Sequence, residues 1–130
     1  MATHLVLQAS GAMFETLSPK GWTFCFAVFV CDNEGTPVEG LKKANFSVWH
    51  MANVGELTLS MVTELGAEIP SSKMAGIYRL QTKLAMFVEA PHPQQFVFAI
   101  RASKVTERGR PPVSIQGFTT VPITYLGDSH

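Results

Sequence analysis

The sequence predicts an all-β protein, a two-sheet antiparallel sandwich of about seven strands in a single domain over residues 1–130. Three observations carry this expectation. The run Trp22–Cys31 packs three Phe, two Val, a Trp and two Cys into ten residues with no charge, Gly or Pro, the pattern of a strand buried on both faces. Asp32-Asn33-Glu34-Gly35-Thr36-Pro37 then stops it with turn-forming residues. Elsewhere, short apolar runs are parted by Gly, Pro, Asn and Ser clusters, and no amphipathic helix competes.

In chain order the expected strands are Thr3–Ala9, Trp22–Cys31, Asn45–His50, Glu56–Thr63, Gly76–Thr82, Gln95–Ser103 and Val113–Thr124. The fourth is the ambiguous one, because Leu57–Leu65 could pass for a helix. Leu57, Leu59 and Met61 alternate at the strand period, which decides for a strand. Seven short strands of alternating pattern suit two packed sheets.

The spacing Val30-x-Asp32-x-x-Gly35-x-Pro37-Val38-x-Gly40-Leu41, then Phe46-x-Val48, Gly76-Ile77-Tyr78-x-Leu80 and Phe96-x-Phe98-x-Ile100, resembles the immunoglobulin-like sandwich repeats of bacterial adhesins and carbohydrate-active proteins. The likeness covers about Thr23 to Ser103. It implies an immunoglobulin-like strand order, and a role as a spacer or binding module; a single copy does not suit a spacer.

Alternation sets the expected register. Phe24, Phe26, Val28 and Val30 should face between the sheets and meet Tyr78, Leu80, Phe96, Phe98 and Ile100 there, each contributing about 1.5–3 kcal/mol. The other side of the strand is then Thr23, Cys25, Ala27, Phe29 and Cys31, where an ordinary sandwich would be polar. Something must cover this second apolar face: a loop of the same chain, such as Gly11–Gly21, or a second molecule. Ten acids balance ten bases, so little charge opposes self-association, and this favours the second molecule.

The expected loops divide by character. Asp32–Ala44, Leu65–Met74 and Lys104–Pro112 should share one charged end, with Arg108 and Arg110 as a candidate polar binding pair. The opposite end should carry Ser10–Gly21, Met51–Gly55 and Lys83–Pro93. Two of these segments repeat Ala-Met-Phe, which makes Met13, Phe14, Met86 and Phe87 candidates for an apolar docking tip.

Chemistry is sparse. Cys25 and Cys31 lie about 20 Å apart along one strand, too far to bridge each other. None of His4, His50, His92 and His130 has a neighbouring cysteine or carboxylate at metal-ligand spacing, so no metal and no cofactor are expected. The balanced charge offers nothing to nucleic acid, and no run is long enough for a membrane-spanning helix. The start lacks the regions of a signal peptide, from which an intracellular chain is expected, or a secreted one whose leader has been removed. The leading expectation is a non-enzymatic protein-binding or assembly module, a homo-oligomer or partner-docking chain using Cys25, Ala27, Phe29 and Cys31. Two alternatives accompany it. One is a small transthyretin-like hydrolase, suggested by Thr3-His4-Leu5-Val6-Leu7, which needs His4 to converge with His92 or His50. The other is a carbohydrate-binding module with an aromatic platform drawn from Trp22, Trp49, Tyr78 and Tyr125.

Overall fold

Among the described residues, eight strands build two four-stranded antiparallel sheets packed face to face. The computed structural model describes residues 3–17, 20–51, 55–65, 75–84, 94–106 and 112–125. The strands are β1 (Leu5–Leu17), β2 (Lys20–Asp32), β3 (Phe46–His50), β4 (Gly55–Leu57), β5 (Leu59–Glu64), β6 (Ile77–Leu84), β7 (Gln94–Thr106) and β8 (Val113–Tyr125). A 3₁₀ turn, Lys43–Asn45, precedes β3. The first sheet has the order β1-β2-β6-β5 and the second β4-β3-β7-β8.

The register expected from alternation is the one found. Phe24, Phe26, Val28 and Val30 point inward from β2 and are almost wholly buried, as are Phe98 and Ile100 from β7. Their rings interlock across the two sheets: Phe24 lies 4.7 Å from Phe98, and Phe26 lies 5.1 Å from the same ring. These offsets and tilts are what aromatic quadrupoles favour.

Two expectations about the strands are corrected. The first strand does not end at Ala9. It runs to Leu17 and pairs with β2 from Leu5↔Asp32 to Leu17↔Lys20. Gly11–Leu17 therefore lies beside β2, in the same sheet, and does not cover it as a loop. Ala12-Met13-Phe14 belongs to this strand and forms no part of a loop tip: Met13 turns inward against the core, and Phe14 turns outward. Gly11 sits within the strand where space is tight: a Cβ there would stand 2.8 Å from Cδ1 of Ile123 on β8, and that side-chain end would have to shift.

Second, the expected strand Glu56–Thr63 is two strands in different sheets. The chain leaves the second sheet after Leu57 and enters the first at Leu59, so Thr58 alone makes the crossing. Thr82 holds the crossing from beneath, its buried hydroxyl donating to the Thr58 carbonyl at 2.8 Å. A bulge between Leu59 and Met61 then flips the phase of alternation, which places Met61 outside and Val62 against the core.

The connection from the first sheet to the second is pinned by side chains. The Asp32 carboxylate accepts from the backbone N–H groups of Glu34 and Thr36, and Gly35 supplies the positive φ (85°) that this turn needs. Tyr78, buried on β6, donates its hydroxyl to the Val38 carbonyl at 2.6 Å and accepts from the Leu41 N–H at 3.2 Å. Glu64 accepts from the Gly40 N–H with both carboxylate oxygens. Val38 and Leu41 are thereby seated in the core.

Candidate interaction face

Strand pairing assembles the outer surface of the first sheet. Residues directly opposite each other share a face. Val6, Gln8, Ser10, Ala12 and Phe14 of β1 stand against Cys31, Phe29, Ala27, Cys25 and Thr23 of β2. On the other flank of β2, Phe29 meets Ile77, Ala27 meets Arg79, and Cys25 meets Gln81. Met61 and Thr63 of β5 extend the same surface.

This surface is apolar and open. Val6 is 40% exposed, Phe14 57% and Met61 46%, and Ala27 is also exposed. Cys25, Phe29, Cys31 and Ile77 are half-buried. Gln8, Ala9, Ser10, Ala27, Phe29 and Ile77 rim a shallow open depression of about 330 Å³. Its cause is a step in side-chain size: the small residues Ser10 and Ala27 lie side by side, with Phe29 and Ile77 rising next to them. Gly76 lets the Phe29 ring lie close, because a Cβ there would stand 3.3 Å from Cε1.

The two thiols differ. Burial pushes the Cys25 thiol above its ordinary value, partly opposed by the Arg79 guanidinium. The Cys31 thiol donates to the Val6 carbonyl at 3.8 Å. Both cysteines are free.

Four expected interface residues, Cys25, Ala27, Phe29 and Cys31, thus lie in one row along β2, and Phe14 shares their face. Met13 does not, because its parity turns it inward. Met86, Phe87, Arg108 and Arg110 lie outside the described residues. Val6, Ile77 and Met61 complete the surface and were not singled out from sequence. Val6 and Ile77 follow from pairing, as the partners of Cys31 and Phe29; Met61 needs the bulge.

The outer surface of the second sheet is of another kind. The Arg101 guanidinium lies 5.4 Å from the centre of the Trp49 ring, and its Nη2 donates to Ser47 Oγ at 3.1 Å. Phe118, 61% exposed, sits directly opposite Arg101 on β8. Tyr78 belongs to no aromatic platform, since it is fully buried in the core. The side chains of Trp22 and Tyr125 lie outside the described residues.

The histidines are dispersed. His4 is exposed beside Asn33, whose N–H donates to its carbonyl. His50 closes the far end of β3, buried between the rings of Phe96 and Phe98, and burial lowers its pKa. His4 and His50 therefore occupy opposite ends of the sandwich and form no common cleft, and His92 lies outside the described residues. Among the described residues no three His, Cys, Asp or Glu side chains are grouped to hold a metal, and no helix is long and apolar enough to cross a membrane. No family model, curated protein or solved structure matches this chain.

Proposed function

We propose that this chain is a non-enzymatic protein-binding module of the immunoglobulin-like type that self-associates through the outer face of its first sheet. The strand order supports the immunoglobulin-like reading: β1-β2-β6-β5 against β4-β3-β7-β8 corresponds to strands A, B, E, D facing C′, C, F, G. One observation carries the functional reading. The strand that is apolar on both sides has a filled inner side, while its outer side opens to Val6, Phe14, Ala27 and Met61 at the surface. Contiguous exposed apolar surface on a sandwich marks a place where another protein docks.

Sedimentation velocity across a concentration series tests this. The wild-type chain should shift from monomer toward a larger species, and Ala27→Arg, at an exposed position, should remain monomeric with an unchanged fold. A wild-type chain that stays monomeric at high concentration, or an Ala27→Arg chain that associates equally well, overturns the reading.

The second sheet supports a second reading, a carbohydrate-binding face. Trp49, held by Arg101, and the exposed Phe118 lie on one flat surface, and rings on a rigid sheet can stack on sugar rings. Titration with soluble oligosaccharides should then quench or shift tryptophan fluorescence in the wild-type chain and leave Trp49→Ala silent. No response to any oligosaccharide sinks this alternative.

A further inference from the structure

The row Cys25, Ala27, Phe29, Cys31 has a symmetry that identifies how a second copy sits on it. We infer that two chains pair face to face about a two-fold axis that lies in the interface and runs across the strands at the level of Val28. This rests on the self-association proposed above and deepens it.

Of the in-plane two-fold axes, two lay β2 over β2 of the second copy with the strands aligned. An axis along the strands sets each residue of β2 against itself. Phe29 would then meet Phe29 of the second copy, Ala27 would meet Ala27, and bulk would oppose bulk beside a void. An axis across the strands reverses the second β2. Positions three before and three after Val28 exchange, so Cys25 meets Cys31, and Ala27 meets Phe29. The exchange holds on the neighbouring strands, because pairing places them at the same levels. Val6 then meets Ala12, Gln8 meets Ser10, and the stem of Arg79 lies over Ile77. Apart from the equal pair Cys25 and Cys31, each pair joins a larger side chain to a smaller one or, for Arg79, sets a charged head away from its own copy. The depression beside Ser10 and Ala27 is the seat for the Phe29 ring of the other chain. Close-packed interfaces require this alternation of size.

The area suffices. Three strands contributing some eight residues each and β5 its six, at about 4.8 Å by 3.3 Å per residue, give a footprint of about 480 Å² per copy, so roughly 950 Å² is covered in the pair before side-chain relief adds to it, near the lower bound for a specific interface. Apart from Arg79 and Lys83, no charged residue stands on the outward positions of β1, β2 and β6 between Val6 and Phe14 and their partners, and none is acidic. A second copy of the same largely apolar surface therefore fits without burying an unpaired carboxylate, provided that the Arg79 head reaches solvent past Ile77 of the other chain.

The two cysteines report the axis. Added diamide accepts two electrons and two protons from a pair of thiols as a disulfide forms between chains. With the axis across the strands, every bridge needs one Cys25 and one Cys31. Wild-type chain should cross-link to a dimer at alkaline pH on a non-reducing gel. Cys25→Ser alone and Cys31→Ser alone should each give less than a tenth of that product, and an equimolar mixture of the two variants should restore a single-bridged dimer. Cross-linking within either single variant alone means like meets like, and overturns this axis while leaving self-association through the face intact. A concentration-dependent dimer in the sedimentation series that never cross-links also overturns the axis and spares the face. A wild-type monomer in that series removes both.

Discussion

Replacing Tyr78 by Phe removes one oxygen from the core and tests the pin that joins the two sheets. The hydroxyl satisfies the buried Val38 carbonyl at 2.6 Å and the Leu41 N–H at 3.2 Å, and Tyr78 itself has no exposed surface. Each orphaned buried group costs about 1–3 kcal/mol. The longer bond to Leu41 is the weaker, so about 3 kcal/mol in total is expected from the pair. Unfolding entropy of about 2.1 cal/mol/K per residue gives roughly 0.27 kcal/mol/K for a chain of this length, so Tm should fall by about 11 °C. The same residue predicts an alkaline limb. Burial, with Glu64 nearby, pushes the Tyr78 phenol up to about 12 from 10.0. The native state then keeps a proton that the unfolded chain gives up. The stabilisation is complete below pH 10, and declines as pH rises from 10 toward 12, by about 1.4 kcal/mol per unit and about 3 kcal/mol in all. Tyr78→Phe has no such proton to lose. Urea melts of both proteins at several pH values should show a gap of about 3 kcal/mol at pH 8 that narrows by about half by pH 11. A gap that stays constant with pH, or a Tm difference below about 3 °C, refutes the assignment of this hydroxyl as the pin.

Three further outcomes follow from particular contacts. Burial among Phe96 and Phe98 lowers the His50 pKa from 6.5, so the unfolded chain binds the extra proton, and wild-type stability should fall as pH drops below that value. His50→Leu should flatten this acid limb in thermal melts between pH 5 and pH 7. Gly117→Ala drives a methyl into the Leu5 carbonyl where β8 passes β1, so a loss of about 1–3 kcal/mol is expected in chemical denaturation, with faster amide exchange along β1. Asp32→Ala strips two backbone donors of their acceptor after β2 and should cost about 1–2 kcal/mol, read as a lower denaturation midpoint at unchanged slope.

The inner face was readable from sequence because a large apolar residue at every second position has only one side to bury. Phe24, Phe26, Val28 and Val30 on one strand, with Phe96, Phe98 and Ile100 on another, outweigh in bulk the row Thr23, Cys25, Ala27, Phe29 and Cys31, so the heavier row took the core. The length of β1 was not readable, since Ser10-Gly11-Ala12 has the composition of a turn. Gly11 and Gly117 serve the close approach of side chains and of a neighbouring strand, a demand visible only once β1 and β8 are brought together. The single-residue crossing at Thr58 was hidden for a related reason. Leu57 and Leu59 keep strand alternation through a change of sheet, and the bulge before Met61 breaks it one step later. Of the candidate face, the β2 row was readable and its breadth was not, because Val6 and Ile77 belong to it only through pairing.

The arrangement of edges bears on the proposal that the sheet face, and not an edge, meets a second copy. A sandwich adheres to its own kind most readily by adding strands at an open edge. Here β1 and β8, the long edge strands of the two sheets, run so close together that glycine is required on β8 opposite Leu5, which narrows the room for an incoming strand. The other two edges are β4 and β5, three and six residues long, interrupted by the crossing and a bulge. Short and twisted edges pair poorly. Among the described residues, what is left uncovered is the apolar breadth of the first sheet. A face that pairs about a two-fold axis uses the same patch on both chains and closes on itself, so association stops at two. On the proposed pairing, the excess of apolar residues on β2 is compatible with a chain of zero net charge, because the surface that would otherwise drive open-ended aggregation would be consumed by a single partner.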